Sequence, residues 1–251
     1  MESLKDDGQC ENLMRFFKTK NPTDYGYGDE FLGIKVPDTR GVVKEYCDLP
    51  LAEVPKLLTS RWHEIRLCGF LILVSKFMKL TKKKFVNDVE ATKGRDEIVT
   101  MYLKYAEYAN NWDLVDLSVS QILGMWFLLP TFLGSEDGSL QMNRNYKIKV
   151  FDELAESDCL WKQRMSIVAS WMTNKMGDES LCLRYAERHV HHSHDLMHKA
   201  VGWMLRDMGS RISMDLLRNF LKKHSSDMPR TMLRYAIEKM SPEERQMWMK
   251  R

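Results

Sequence analysis

The sequence predicts an all-α protein built from helix pairs stacked side by side. Three observations carry that expectation. The 251 residues include only 13 glycines and 7 prolines, too few turn-formers for a many-stranded sandwich or barrel. Few segments alternate polar and apolar residues, whereas apolar residues recur at three- and four-residue spacing over long stretches. Hydrophobic residues make up 44% and charged residues 29%, the balance of a globular domain with a sizeable core.

In chain order, residues 20–35 are rich in Gly, Tyr and Asp and predict an ordered loop. From about residue 36 the chain reads as successive amphipathic helices with short connections. Ser60 is placed to cap a helix running to about Met78. Its apolar run, CGFLILV, leaves almost no polar face, so it belongs between neighbours. Residues 131–145 (TFLGSEDGSLQMNRN) predict an exposed insertion. Ser193-His194-Asp195 opens a further helix, along which Met197, Ala200, Val201, Met204, Leu205 and Met208 form one stripe, with Gly209 as its expected stop. Met228-Pro229-Arg230 opens a helix to about Met240, and Ser241-Pro242-Glu243-Glu244 is a capping box for a last short one. Comparable helices recur at roughly the ~40–47 residues of HEAT-like units.

Several function classes drop out early. The N-terminal 20 residues are charged throughout and lack the apolar core of a signal peptide. The most apolar runs, Cys68–Val74 and Gly124–Pro130, are far too short to span a bilayer. Five dispersed cysteines with no CxxC pair argue against a disulfide framework or a Cys-rich zinc site, so an intracellular location is expected. No P-loop, GxSxG, HExxH or dinucleotide glycine pattern occurs. The net charge of +3 hides an asymmetry: residues 162–251 carry 17 Lys+Arg against 10 Asp+Glu. A basic C-terminal third suits a surface that meets a polyanion, and equally suits solvated helix faces. Lys79–Lys84 (KLTKKK) reads as a solvated helix end.

Candidate chemistry lies in three places. Leu196, Lys199, Trp203 and Arg206 share a face roughly opposite the Met-rich stripe. A tryptophan between two cations suits either a nucleic-acid contact or packing under a neighbouring helix. Trp112 and Asp116 stand four apart in NNWDLVDLS, on one face of a helix. A carboxylate beside an indole needs a cationic partner or ligand, and Arg164 in LWKQRMSIV is a candidate partner. His191, His194 and His198 have spacing that suits a metal, but the helix start at His194 breaks their common face, so turn and cap roles are expected.

FLGIKVPDTR (31–40), NNWDLVDLS (111–119), LWKQRMSIVAS (160–170), HDLMHKAVGWMLRD (194–207) and MPRTMLRYAIEKMSPEER (228–245) together resemble the AlkD-type DNA alkylation repair glycosylases. The resemblance runs from about residue 12 to the C-terminus. It implies one domain, a curved stack of HEAT-like repeats holding duplex DNA on a basic concave face. It also implies hydrolytic excision of N3- and N7-alkylated purines by a monomer without metal or nucleotide cofactor, membrane or obligate protein partner. Such an enzyme works in a bacterial cytoplasm or a eukaryotic nucleus. Carried over, the catalytic set is Trp112, Asp116, Arg164 and Trp203. Tyr25 or Tyr27 approaches the DNA, with Lys199, Arg206 and Arg230 as backbone contacts. The segment between residues 124 and 160 is longer than the family pattern. A non-excising relative that binds distorted or branched DNA is the alternative, and a helical interaction scaffold a third.

Overall fold

A computed structural model describes residues 1–250. It is all-helical, with no β-strand among the described residues beyond two isolated bridges, Glu30 with Trp62 and Thr131 with Gln141. The chain divides into two compact units: residues 1–122 with 129–143, and residues 123–128 with 144–250.

The N-terminal unit contains α1 (Asp7–Phe16), α2 (Val36–Glu45), α3 (Val54–Leu58), α4 (His63–Lys79), α5 (Val89–Lys104) and α6 (Trp112–Asp116). The centre is α4, which packs against α2, α3, α5 and α6. Its buried set includes Leu67, Phe70, Leu71, Ile72, Leu73 and Phe77, as its apolar run predicts. At ~1.5–3 kcal/mol per buried large apolar side chain, this one helix anchors the unit.

Two local expectations need correction here. The helix expected from Ser60 starts at His63, because Ser60 Oγ is occupied by the backbone N–H of Trp62 in the preceding turn. A helix also precedes residue 36. Asp6 caps α1 by accepting from Gln9 N, yet α1 buries none of its own residues and so lacks an apolar signature.

The C-terminal unit contains α7 (Met125–Phe127), α8 (Arg144–Glu156), α9 (Leu160–Val168), α10 (Ser170–Lys175) and α11 (Ser180–Arg188). It continues with α12 (Asp195–Arg211), α13 (Met214–His224), α14 (Arg230–Ala236) and α15 (Pro242–Met249). Here α12 is central, packing against α9, α10, α11, α13 and α14. All six residues of its predicted stripe are buried. Gly202 lets α14 approach closely: a Cβ there would lie 2.5 Å from Met232 O and from Tyr235 Cβ.

Gly209 does not end α12. It sits inside the helix, where Leu217 of α13 closes on it, and the helix continues to Arg211. The helix predicted from Met228 to Met240 likewise ends at Ala236, and a turn follows, with Met240 N donating to Ile237 O. Ser241 caps α15 as expected, accepting from Glu244 N. No helix among the described residues is long and apolar enough to cross a membrane.

Candidate active site

Asn111 begins the local structure of the site. Its side-chain oxygen accepts from Trp112 N and starts α6, whose five residues carry Trp112, Asp113 and Asp116. Trp112 and Asp116 are half-exposed on one side of this helix, while Asp113, Leu114 and Val115 are buried on the other. The side shared by Trp112 and Asp116 is the one their four-residue spacing predicts. They line a cleft of about 420 Å³, with Phe16 at the end of α1, Phe17 just after it, Phe31 from the loop, and Val36 and Pro37 from α2.

A chain of buried charge holds the cleft in shape. His63, the first residue of α4, bridges two carboxylates: Nδ1 lies 2.8 Å from Asp29 Oδ2, and Nε2 lies 2.9 Å from Asp113 Oδ2. Arg66, one turn on, also reaches Asp29. The adjacent Glu64 accepts three backbone N–H groups, from Leu32 (2.9 Å), Gly33 (2.8 Å) and Ile34 (3.1 Å). One helical turn therefore ties the 20–35 loop and α6 together.

Burial disfavours the charged form of His63. The Asp113 and Asp29 carboxylates more than offset this and raise its pKa to about 9. Asp29 moves the other way: burial pushes its pKa up, but the hydrogen bond and charge of His63, with Arg66 behind, hold it below the usual value. Phe17 and Phe31 cover the imidazole, with ring centroids at 5.0 and 4.6 Å. Asp113 Oδ1 is buried without a hydrogen-bond partner, and its residue lines the cleft. The indole face of Trp112 and the half-exposed Asp116 carboxylate are the groups there that suit a cation; Asp113 is compensated by His63, and Lys35 also lines the cleft.

The family model for DNA alkylation repair enzymes matches residues 1–240. The chain belongs to the DNA alkylation repair enzyme family. A solved structure described as a predicted DNA alkylation repair enzyme from Enterococcus faecalis has the same fold, with a TM-score of 0.68 at 13% identity. The match covers 95% of this chain and 97% of that one. No curated protein matches the sequence. Membership gives the chain a role in DNA repair.

Arg164, Trp203, Lys199, Arg206 and Arg230 lie in the C-terminal unit. Arg164 of α9 is 5% exposed, and its Nη1 donates to Leu196 O, 2.6 Å away, at the first turn of α12. Trp203, two turns further along α12, is half-buried. Lys199 pairs with Asp195 at 2.7 Å, Arg206 pairs with Glu238, and Arg230 donates to Met249 O at 2.6 Å. The histidine cluster has structural partners. His194 caps α12, His192 Nε2 meets Gln163 Oε1 at 2.9 Å, and His198 Nε2 lies against His192 O. His189, packed against Ser166, has its pKa lowered to about 4 by burial and the nearby His192 and Arg188 charges.

In the N-terminal loop Tyr27 is 59% exposed and Tyr25 half-buried. The aromatic that stands beside Trp112 is Phe16, which the sequence argument passed over. It is 63% exposed, with its ring edge-on to the indole at 5.9 Å. Phe17 lies beneath at 5.4 Å. Its signal was the adjacent pair in MRFFKTK, because two neighbouring aromatics on a short polar helix cannot both face a core.

Proposed function

We propose that the chain is a DNA glycosylase that hydrolyses the N-glycosidic bond of N3- and N7-alkylated purines, such as 3-methyladenine and 7-methylguanine, in duplex DNA. The observation that carries this is the shared placement of Trp112 and Asp116, an indole face and a carboxylate, on one wall of an open cleft. Alkylation at N3 or N7 puts a positive charge on the purine, so breaking the C1′–N bond returns the electron pair to a ring that leaves neutral. No general acid, metal or nucleotide cofactor is required for that departure. The group left needing stabilisation is the oxocarbenium-like sugar.

Asp116 supplies negative charge to that sugar and accepts a proton from the water that adds to C1′. Trp112 offers a negative ring face to the cationic nucleotide, and Trp203 does the same from α12. Arg164 holds the phosphate beside the lesion, and its bond to Leu196 O fixes the helix that carries Trp203. Both units act as one repeat domain, consistent with a family model that runs through both. Tyr25 or Tyr27 approaches the DNA from the loop. Lys199, Arg206 and Arg230 reach its backbone after exchanging the partners they hold in the free protein. A monomer suffices.

Base release from duplex DNA containing 7-methylguanine tests the reading. Wild type is expected to release the base, and Asp116→Asn to slow release by about 10²-fold or more with duplex affinity retained. Absence of release by wild type that still binds DNA replaces the reading with the non-excising relative.

A further inference from the structure

A second cleft, of about 570 Å³, adjoins the first within the N-terminal unit. Val43, Leu71, Val74 and Met78 form its apolar floor, and Arg40, Lys44, Lys79 and Lys82 are among its lining residues. The two clefts follow one another along the same elements. On α2, Val36 and Pro37 line the Trp112–Asp116 cleft, and Arg40 and Lys44 line the groove. Where α6 ends, Asp116 and Leu117 belong to the first and Gln121 to the second.

In the C-terminal unit Arg184, Arg188, Lys199, Arg206, Arg211, Arg218 and Lys223 each sit in an ion pair, while Lys222, Arg234, Lys239 and Arg245 are exposed without an ion pair to any described residue. Arg40, Lys44 and Lys82 are exposed and have no side-chain ion pair or hydrogen bond to any described residue. Lys79 holds Asp48 at 3.0 Å, but both side chains are well exposed, and such a pair gives way readily to a competing anion. Unpaired charge is what polyanion binding uses, because a paired cation must first release its carboxylate. Arg40 and Lys44 stand one helical turn apart, about 6 Å along the axis. That rise spans about two base steps of a DNA strand.

We propose that this groove holds the phosphodiester backbone of duplex DNA beside the Trp112–Asp116 cleft, with Arg40, Lys44 and Lys82 as its phosphate contacts. The proposal rests on the DNA-repair reading above and adds the path of one strand. It makes this groove of the N-terminal unit a source of salt-dependent affinity.

The test is equilibrium binding of unmodified duplex DNA across a salt series. It compares wild type, the triple variant Arg40→Gln/Lys44→Gln/Lys82→Gln, and a charge-matched control, Arg184→Gln/Arg188→Gln/Lys223→Gln. Thermal melting confirms that each is folded. The groove variant is expected to lose at least about 10-fold in affinity, and its log–log salt slope to flatten by about 0.9 for each phosphate contact removed. The control is expected to stay within about 2-fold of wild type. An unchanged slope in the groove variant, an equal loss in the control, or absence of duplex binding by wild type would each overturn the proposal. Because unmodified DNA is used, the two readings separate. Wild type that binds but never excises sinks the glycosylase alone, and a groove variant that binds and excises normally sinks the strand path alone.

Discussion

The N-terminal unit contains two long irregular segments, residues 20–35 and residues 131–143, and they are held in different ways. The first is fastened by buried charge. Glu64 takes three of its backbone N–H groups, and Asp29 is gripped by His63 and Arg66. It also contains Gly33 at φ 83°, where a Cβ would strike the Asp6 carbonyl. The second is fastened at its base alone, where Asp96 accepts Thr131 Oγ1 at 2.6 Å and Phe132 N at 2.8 Å. Its tip is self-contained, with Asp137 accepting from Ser135 Oγ and Ser139 N. Irregular backbone must find hydrogen-bond partners somewhere. The segment that forms a wall of the Trp112–Asp116 cleft finds them in several ionisable side chains of the core, and the other finds them in Asp96 at its base and in itself at its tip.

The sharpest way to break that contrast is Glu64→Ala. It leaves three buried N–H donors without an acceptor, each costing ~1–3 kcal/mol. A loss of about 3 kcal/mol or more follows, which in a chain of this size lowers Tm by roughly 10 °C. Differential scanning calorimetry reads this directly. A loss below about 1 kcal/mol would mean that the loop re-pairs with water and is not fastened by Glu64.

His63 adds a pH dependence of stated sign. Its folded pKa of about 9 lies above the unfolded value of about 6.5. The stability it contributes is therefore complete below pH ~6.5 and is lost as the pH rises through 9. The groups that face it are Asp29 from the loop and Asp113 from α6, with Arg66 on its own helix and Phe17 and Phe31 over its ring. Tm measured from pH 6 to pH 10 should fall by several degrees in wild type, and far less in His63→Gln. Parallel curves for the two proteins would remove His63 from the account.

These examples explain what was legible in the sequence. Regular spacing was: the α12 stripe and the Ser241 cap can be read from a few adjacent residues, and both are in place. The shared side of Trp112 and Asp116 follows from the same arithmetic. The charge chain behind them was not legible, because His63 lies 34 residues from Asp29 and 50 from Asp113. No local pattern announces a contact that only folding creates. Charge counts decided little for a related reason. Of the 17 cations in residues 162–251 at least seven sit in ion pairs, and only folding shows which. Gly209 misled because close helix packing, as well as a helix stop, calls for a missing side chain.

The second segment yields smaller effects. Asp96→Ala removes the acceptor for Thr131 and Phe132, and should cost about 1–2 kcal/mol. The change should be confined to faster amide exchange at residues 131–143, with base release unchanged. Protection lost around residues 29–34 as well would show that the two segments are coupled and that their contrast is false.

Shortening the tip by removing residues 134–139 should have the least effect. Gly138 has φ 71° and open space around its Cβ position, and the hydrogen bonds of Asp137 begin and end within the tip. Nothing in the core loses a partner, and a shorter loop changes closure entropy by only a fraction of a kcal/mol. Tm within about 1 °C of wild type is therefore expected, together with unchanged affinity for unmodified duplex. A stable variant with weakened duplex binding would overturn that and make the tip part of the DNA surface. The 131–143 segment would then be working backbone like the 20–35 loop, held loosely because its partner is the nucleic acid rather than the core.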